Sequence, residues 1–186
     1  AGGTAPIVLF HSQEAGRTVL EQLGRAVQVQ NTKQKSAQNG TQKPLHGVPH
    51  NVIPVSLWHT ASMGIDVWLS AICYGAQQVA VLVTHEEAPD YLRTLREQMA
   101  VAQALLNGLG YAGTHLHLLE WDGKSLSVLD TALQAVSKAQ TVIPAAKARF
   151  AIGAEKRATL EMVLDHLMEN APSNPQAAST SSASLD

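Results

Sequence analysis

The sequence predicts an α/β fold, a three-layer sandwich in which helices cover both faces of a four-stranded parallel sheet. Three observations carry this. Four short apolar runs alternate with stretches whose apolar residues recur at helical spacing. One of the runs, Gln78 to Thr84, is apolar almost throughout, as strands covered on both faces are. Helix signals, Pro89 at a start and Gly75 and Gly110 at ends, punctuate the pattern.

The first strand is expected over about 6–10, running into His11, and a helix over about 14–27 carries Val19, Leu20 and Leu23. Residues 28–51 then change character. Gln, Asn, Lys, Ser and Gly dominate from Gln28 to Lys43, and Pro44, Gly47 and Pro49 follow, which reads as a mobile surface loop of unusual length. The second strand is placed at about 52–58. A helix follows over about 65–74, because Ile65, Trp68, Leu69, Ile72 and Cys73 fall at i, i+3, i+4, i+7 and i+8.

After the third strand, at 78–84, comes the longest helix, about 89–109, with Leu92, Leu95, Met99, Ala102, Leu105, Leu106 and Leu109 as its buried stripe. The fourth strand is expected over about 115–120, with His115 and His117 alternating with leucines on an exposed face. Asp122 is read as the cap of a helix over about 124–139 that buries Leu126, Leu129, Leu133 and Val136. Residues 141–153 read as irregular, and a last amphipathic helix over about 154–170 carries Leu160, Val163, Leu164 and Leu167. From Ala171 the composition is Pro, Ser, Asn, Gln, Ala and Thr, too polar to order itself. The expected division is one domain over 1–170 and a disordered tail or linker over 171–186. Right-handed crossovers between parallel strands favour the flavodoxin-like (Rossmann-like) order 2-1-3-4.

Composition narrows the function classes. The chain has 186 residues, 45% apolar and 15% charged, the make-up of a soluble domain with a real core. Its net charge of -2 offers no electrostatic footprint for nucleic acid or an anionic membrane. No apolar stretch approaches the roughly 18 residues of a membrane helix. The small, uncharged start, Ala1-Gly2-Gly3-Thr4, is unlike a secretory leader, and without an initiator Met the chain reads as processed or cut from a longer protein. A single cysteine, Cys73, rules out an internal disulfide and a cluster held by four cysteines of this chain. The expected compartment is the cytoplasm, and Cys73, on an apolar helix face, reads as a buried thiol.

Three strand-like runs end in histidine, at His11, His59 and His85. In a parallel sheet these imidazoles line the carboxyl edge, where open α/β sheets bind ligands. One reading is a metal or anion site, with Glu86, Glu87 or Asp90 nearby, since zinc accepts three nitrogen ligands plus water or a carboxylate. The other is that each imidazole satisfies its own strand end. Ser12, Thr60, Thr84 and Glu86 complete the candidate ligand edge. Ser12 also suits the cap of the first helix. The turn after the first strand lacks G-x-G-x-x-G and the P-loop Lys, so ordinary dinucleotide binding is not expected. No G-x-S-x-G elbow is present, and Ser62 reads as part of a helix start. His46 and His50 read as solvated loop residues. Lys156 and Arg157 occupy a first helical turn, where the dipole disfavours cations, and suit an acidic partner, an anion or, more simply, a solvated face. Trp58 and Trp68 are placed in or near the core, and Trp121 over the end of the fourth strand.

The stretch Val52 to Glu120 resembles the delta-subunit domain of methyl-viologen-reducing hydrogenase, a domain also found within multidomain bacterial 4Fe-4S ferredoxin-type proteins. The matching features are a strand ending before Gly64, the helix Val67 to Ile72, and Tyr74-Gly75-Ala76-Gln77-Gln78-Val79-Ala80-Val81-Leu82-Val83. The helix ending Leu105-Leu106-Asn107-Gly108-Leu109-Gly110 and the strand His115 to Glu120 match as well. Phe150 to Pro172, with Lys156-Arg157 and Asp165-His166-Leu167, resembles the region before the cluster motif of the ferredoxin-type proteins. In the resembling domain, cysteines at the strand ends are associated with a [2Fe–2S] centre. Here those positions read His11-Ser12, His59 and Thr84-His85-Glu86-Glu87. The resemblance implies a non-catalytic module of an iron–sulfur electron-transfer protein, with no cluster in this chain and 4Fe-4S clusters in the parent protein. Its partners would be a ferredoxin-type domain in cis and a redox partner protein. The alternative is a small-molecule or metal-binding domain built on the strand-end histidines.

Overall fold

The computed structural model describes residues 5–36, 43–153 and 155–172. Its four strands are β1 (Ile7–Ser12), β2 (Val52–Leu57), β3 (Gln78–Val83) and β4 (Leu116–Glu120). They form one parallel sheet in the order β2-β1-β3-β4, as the sequence predicts. The helices are α1 (Ala15–Ser36), α2 (Ile65–Cys73), α3 (Pro89–Gly108), α4 (Leu126–Lys138) and α5 (Lys156–Glu169), with a short 3₁₀ turn at Thr60–Ser62.

The alternation of each strand divides the core into two. Ile7, Leu9, Ala80, Leu82 and Leu119 face one way, against Val19 and Leu23 of α1 and Leu129, Leu133 and Val136 of α4. Phe10, Val79, Val81, Val83 and Leu116 face the other, against Trp68, Leu69, Ile72 and Cys73 of α2, Leu95, Met99, Ala102 and Leu106 of α3, and Val163 and Leu167 of α5. All six residues of β3 are buried, which explains the unbroken apolar run that identified it.

Edge strand β2 contains Pro54. The Leu57 carbonyl accepts from Gln13 N–H at 2.7 Å and the Asn51 carbonyl from Ile7 N–H at 2.8 Å. In a parallel ladder this sets residues 53, 55 and 57 toward β1 and turns the backbone of Pro54 outward. Proline therefore costs no ladder bond at its position.

Several local expectations are corrected. α1 runs to Ser36 instead of stopping near 27, so residues 28–36 are helical and not loop. Apart from the exposed Val29 their side chains are polar and, from Glu21 onward, only Leu23 of α1 is buried among the described side chains, so apolar periodicity carries no signal there. Residues 43–51 are irregular but tied to α4. The buried Asp130 carboxylate accepts the backbone N–H of His46 at 3.0 Å and of Gly47 at 2.7 Å, and it also meets the His46 ring at 3.2 Å. His46 is thus bonded, not merely solvated. Asp122 does not cap α4. It accepts Lys124 N–H at 2.9 Å, and Ser125 holds the position before the helix. His115 is fully buried instead of exposed, because the segment after α4 crosses beside it and its ring bonds the Val142 carbonyl at 2.8 Å. Residues 37–42 of the expected loop, and 173–186 of the expected tail, lie outside the described residues.

Candidate functional site

The carboxyl edge is built by three chain segments leaving neighbouring strands. β1 ends at Ser12, whose hydroxyl accepts the Gly16 N–H at 2.8 Å and so caps the start of α1 as expected. β2 leads through Trp58 and His59 into the 3₁₀ turn, where Ser62 donates to the His59 carbonyl at 2.7 Å. The Ser62 hydroxyl is occupied in shaping that turn. β3 leads into Thr84-His85-Glu86-Glu87, and α3 begins at Pro89.

Glu87 organises this edge. One carboxylate oxygen accepts the Thr60 hydroxyl at 3.0 Å, and the other accepts the Thr84 N–H at 2.6 Å and the Thr84 hydroxyl at 3.1 Å. Thr84 and Glu87 thus stand at the Thr-x-x-Glu spacing, the signal in the sequence that locates them, with Glu87 reaching back to the Thr84 N–H while the Thr84 hydroxyl accepts the Glu86 N–H at 3.3 Å. Glu87 fastens the loop after β3 to the turn after β2. Tyr91, one turn into α3, brings a buried hydroxyl with no hydrogen bond of good geometry among the described residues, although Thr60 lies near enough to favour its ionised form. Burial is the main cause holding this phenol above its ordinary range; Thr60 opposes it and the Glu87 charge adds to it.

Between these segments opens a cleft of about 650 Å³ lined by Ser12, Gln13, Glu14, Trp58, His59, Thr60, Ala61, Glu86, Glu87, Ala88 and Tyr91. Trp58 is 75% exposed, not core, and its ring meets His59 edge to face at 6.1 Å. Trp68, by contrast, is fully buried. Ser12, Thr60 and Glu86 line the cleft together, as grouped from the sequence, while Thr84 is buried beneath in the Glu87 turn.

The three histidines are not level. β1 extends two residues past the expected end, so His11 sits inside the strand, buried, with its Nδ1 2.9 Å from the Ser12 carbonyl. Its register partners are Ser56 and Leu82. His59 and His85 each lie three residues beyond those partners, two past the last residue of β2 and of β3, in the segments that leave the strands. Both are exposed. Among the described residues, no three His, Cys, Asp or Glu side chains group as metal ligands.

The residues at the edge do not fit an iron–sulfur cluster either, because that chemistry needs thiolates. Cys73 lies at the end of α2, fully buried, its sulfur 3.8 Å from the Val163 carbonyl, and burial pushes its thiol up to about 12. Lys156 and Arg157 are exposed at the start of α5, with Arg157 3.3 Å from Glu161.

Compared with protein-family models and with curated proteins, the chain matches none. Among the described residues no helix is long and apolar enough to cross a membrane. Fold and edge together define an α/β domain of doubly covered parallel sheet with an aromatic, carboxylate-lined cleft at the carboxyl ends of its strands.

Proposed function

We propose that this chain is a non-catalytic α/β module of a cytoplasmic iron–sulfur electron-transfer protein, comparable to the delta-subunit domain of methyl-viologen-reducing hydrogenase. It docks a redox partner or a neighbouring 4Fe-4S ferredoxin-type domain through the carboxyl edge of its sheet, and the clusters reside in that neighbour. The observation that supports this reading most is Trp58, 75% exposed at the mouth of the edge cleft. An indole in water at a concave, rigidly held edge is what interface anchors look like before they are covered. The hydroxyls and carboxylate nearest it, in Thr60, Ser62, Thr84 and Glu87, are bonded to one another or to backbone. They hold the edge in shape.

Titrating the isotopically labelled chain with a separately produced two-cluster ferredoxin-type domain tests this. Amide shifts are expected at 12–14, 58–61 and 86–91. No shifts, or shifts only at the opposite edge around 46–51, would overturn the docking surface. After anaerobic incubation with iron and sulfide the chain alone is expected to stay colourless, and a bound cluster would refute the assignment of the clusters to the neighbour.

A further inference from the structure

The edge carries a second cleft beside the first, of about 400 Å³, bordered by His85 and Trp121. Glu14 and Glu86 line both clefts and therefore stand on the ridge between them. Neither lining contains a lysine or arginine. Glu14 and Glu86 are exposed, and among the described residues neither carboxylate has an ion-pair or hydrogen-bond partner. The nearest arginines in sequence are turned to acids of their own helices, Arg17 to Glu21 at 2.9 Å and Arg93 to Asp90 at 3.2 Å.

Two unpaired carboxylates between two indoles suit a cation twice over. A guanidinium or ammonium group gains charge-assisted hydrogen bonds from the carboxylates and a favourable contact with an indole face. Resting on the docking reading above, we propose that this edge is a receptor for a basic, extended segment of a partner protein. Its arginine or lysine side chains meet Glu14 and Glu86, and an apolar stretch covers Trp58. A protein segment fits better than a small amine. The two clefts, joined across the glutamate ridge, make a groove longer than one amine fills, and Trp58 offers apolar surface that a hydrophilic cation leaves wet.

The test is a fluorescence-anisotropy titration of the full chain against a labelled decapeptide in which alternating arginine and lysine are followed by a run of leucines. Its glutamine-substituted counterpart and spermidine run beside it. The basic peptide is expected to bind saturably and the glutamine peptide not to bind. The double variant Glu14→Gln/Glu86→Gln, and separately Trp58→Ala, should each weaken binding by about tenfold. Glu97→Gln, an exposed acid of α3 outside the clefts, should leave it unchanged. Absence of binding by the basic peptide overturns the proposal, as does an equal loss in Glu97→Gln. Spermidine displacing the peptide at comparable affinity also overturns it and assigns the groove to small amines. If the peptide fails while the ferredoxin-type domain still shifts the edge amides, docking stands and only the basic partner chemistry falls.

Discussion

His115 donates its Nε2–H to the Val142 carbonyl at 2.8 Å and meets the Gln103 amide through Nδ1 at 3.4 Å, all within a fully buried setting. Burial is the main cause that lowers its proton affinity, against partial opposition from backbone bonds to Val142 and Gly113. The folded chain therefore resists a proton that the unfolded chain accepts. Stability should be fully present above the ordinary histidine value of about 6.5 and fall as pH drops below it toward the lowered folded value. His117, lowered mainly by burial as well, adds to the same slope. Urea midpoints between about pH 5 and 8 should show His115→Gln less stable overall but with a shallower acid slope; parallel slopes would refute this. Residue type alone hid this histidine, because an imidazole alternating with leucines looks like the wet face of a half-covered strand. Trp58 and Trp68 misled in the opposite sense. Both are tryptophans near apolar runs, yet only Trp68 falls on the helical face that α5 covers, whereas Trp58 sits past the end of β2, beyond any covering helix.

β2 is the element with the most at stake at its margin. It is an edge strand without charged side chains, and Ile53 is 49% exposed. Such edges invite pairing with another chain. Pro54 removes the outward N–H in the middle of the strand, and the outward N–H of Val52 is taken by the Pro49 carbonyl at 3.0 Å. Pro54→Val should restore the donor and a β-favouring residue together. The expected outcome is concentration-dependent self-association in sedimentation velocity, with the far-UV spectrum retained; a monomeric variant at all concentrations would overturn this account. Strand positions, sheet order and four of the five helices were legible because each buries an apolar stripe or run. The second half of α1 was not, since Val29 is the one apolar residue of 28–36 and none of the described side chains there is buried. The tie between 43–51 and α4 was equally hidden. It depends on one aspartate, Asp130, more than eighty positions from the amides it accepts, and no local pattern announces such a pairing.

At the scale of the molecule, both cores hang on the same four strands, so neither has a sheet of its own to fall back on. The carboxyl edge as the place for a site was legible from topology alone. Which side chains converge there was legible only for Ser12, Thr60 and Glu86, because register decides the rest: two extra residues in β1 sink His11 below the edge while Glu87 rises to fasten it. Shared strands predict that unfolding is a single cooperative event. Cys73 lies where α2, α5 and the sheet meet, and its thiol is held at about 12 by burial. Alkylation needs the thiolate in contact with solvent. Pulsed iodoacetamide labelling is therefore expected to follow the same denaturant midpoint as the far-UV signal, and labelling well ahead of it would reveal separate opening of the α2–α5 layer. The chain thus carries its own chemical clock: one thiol, silent while the molecule is closed, whose rate of disappearance counts how often the interior meets water.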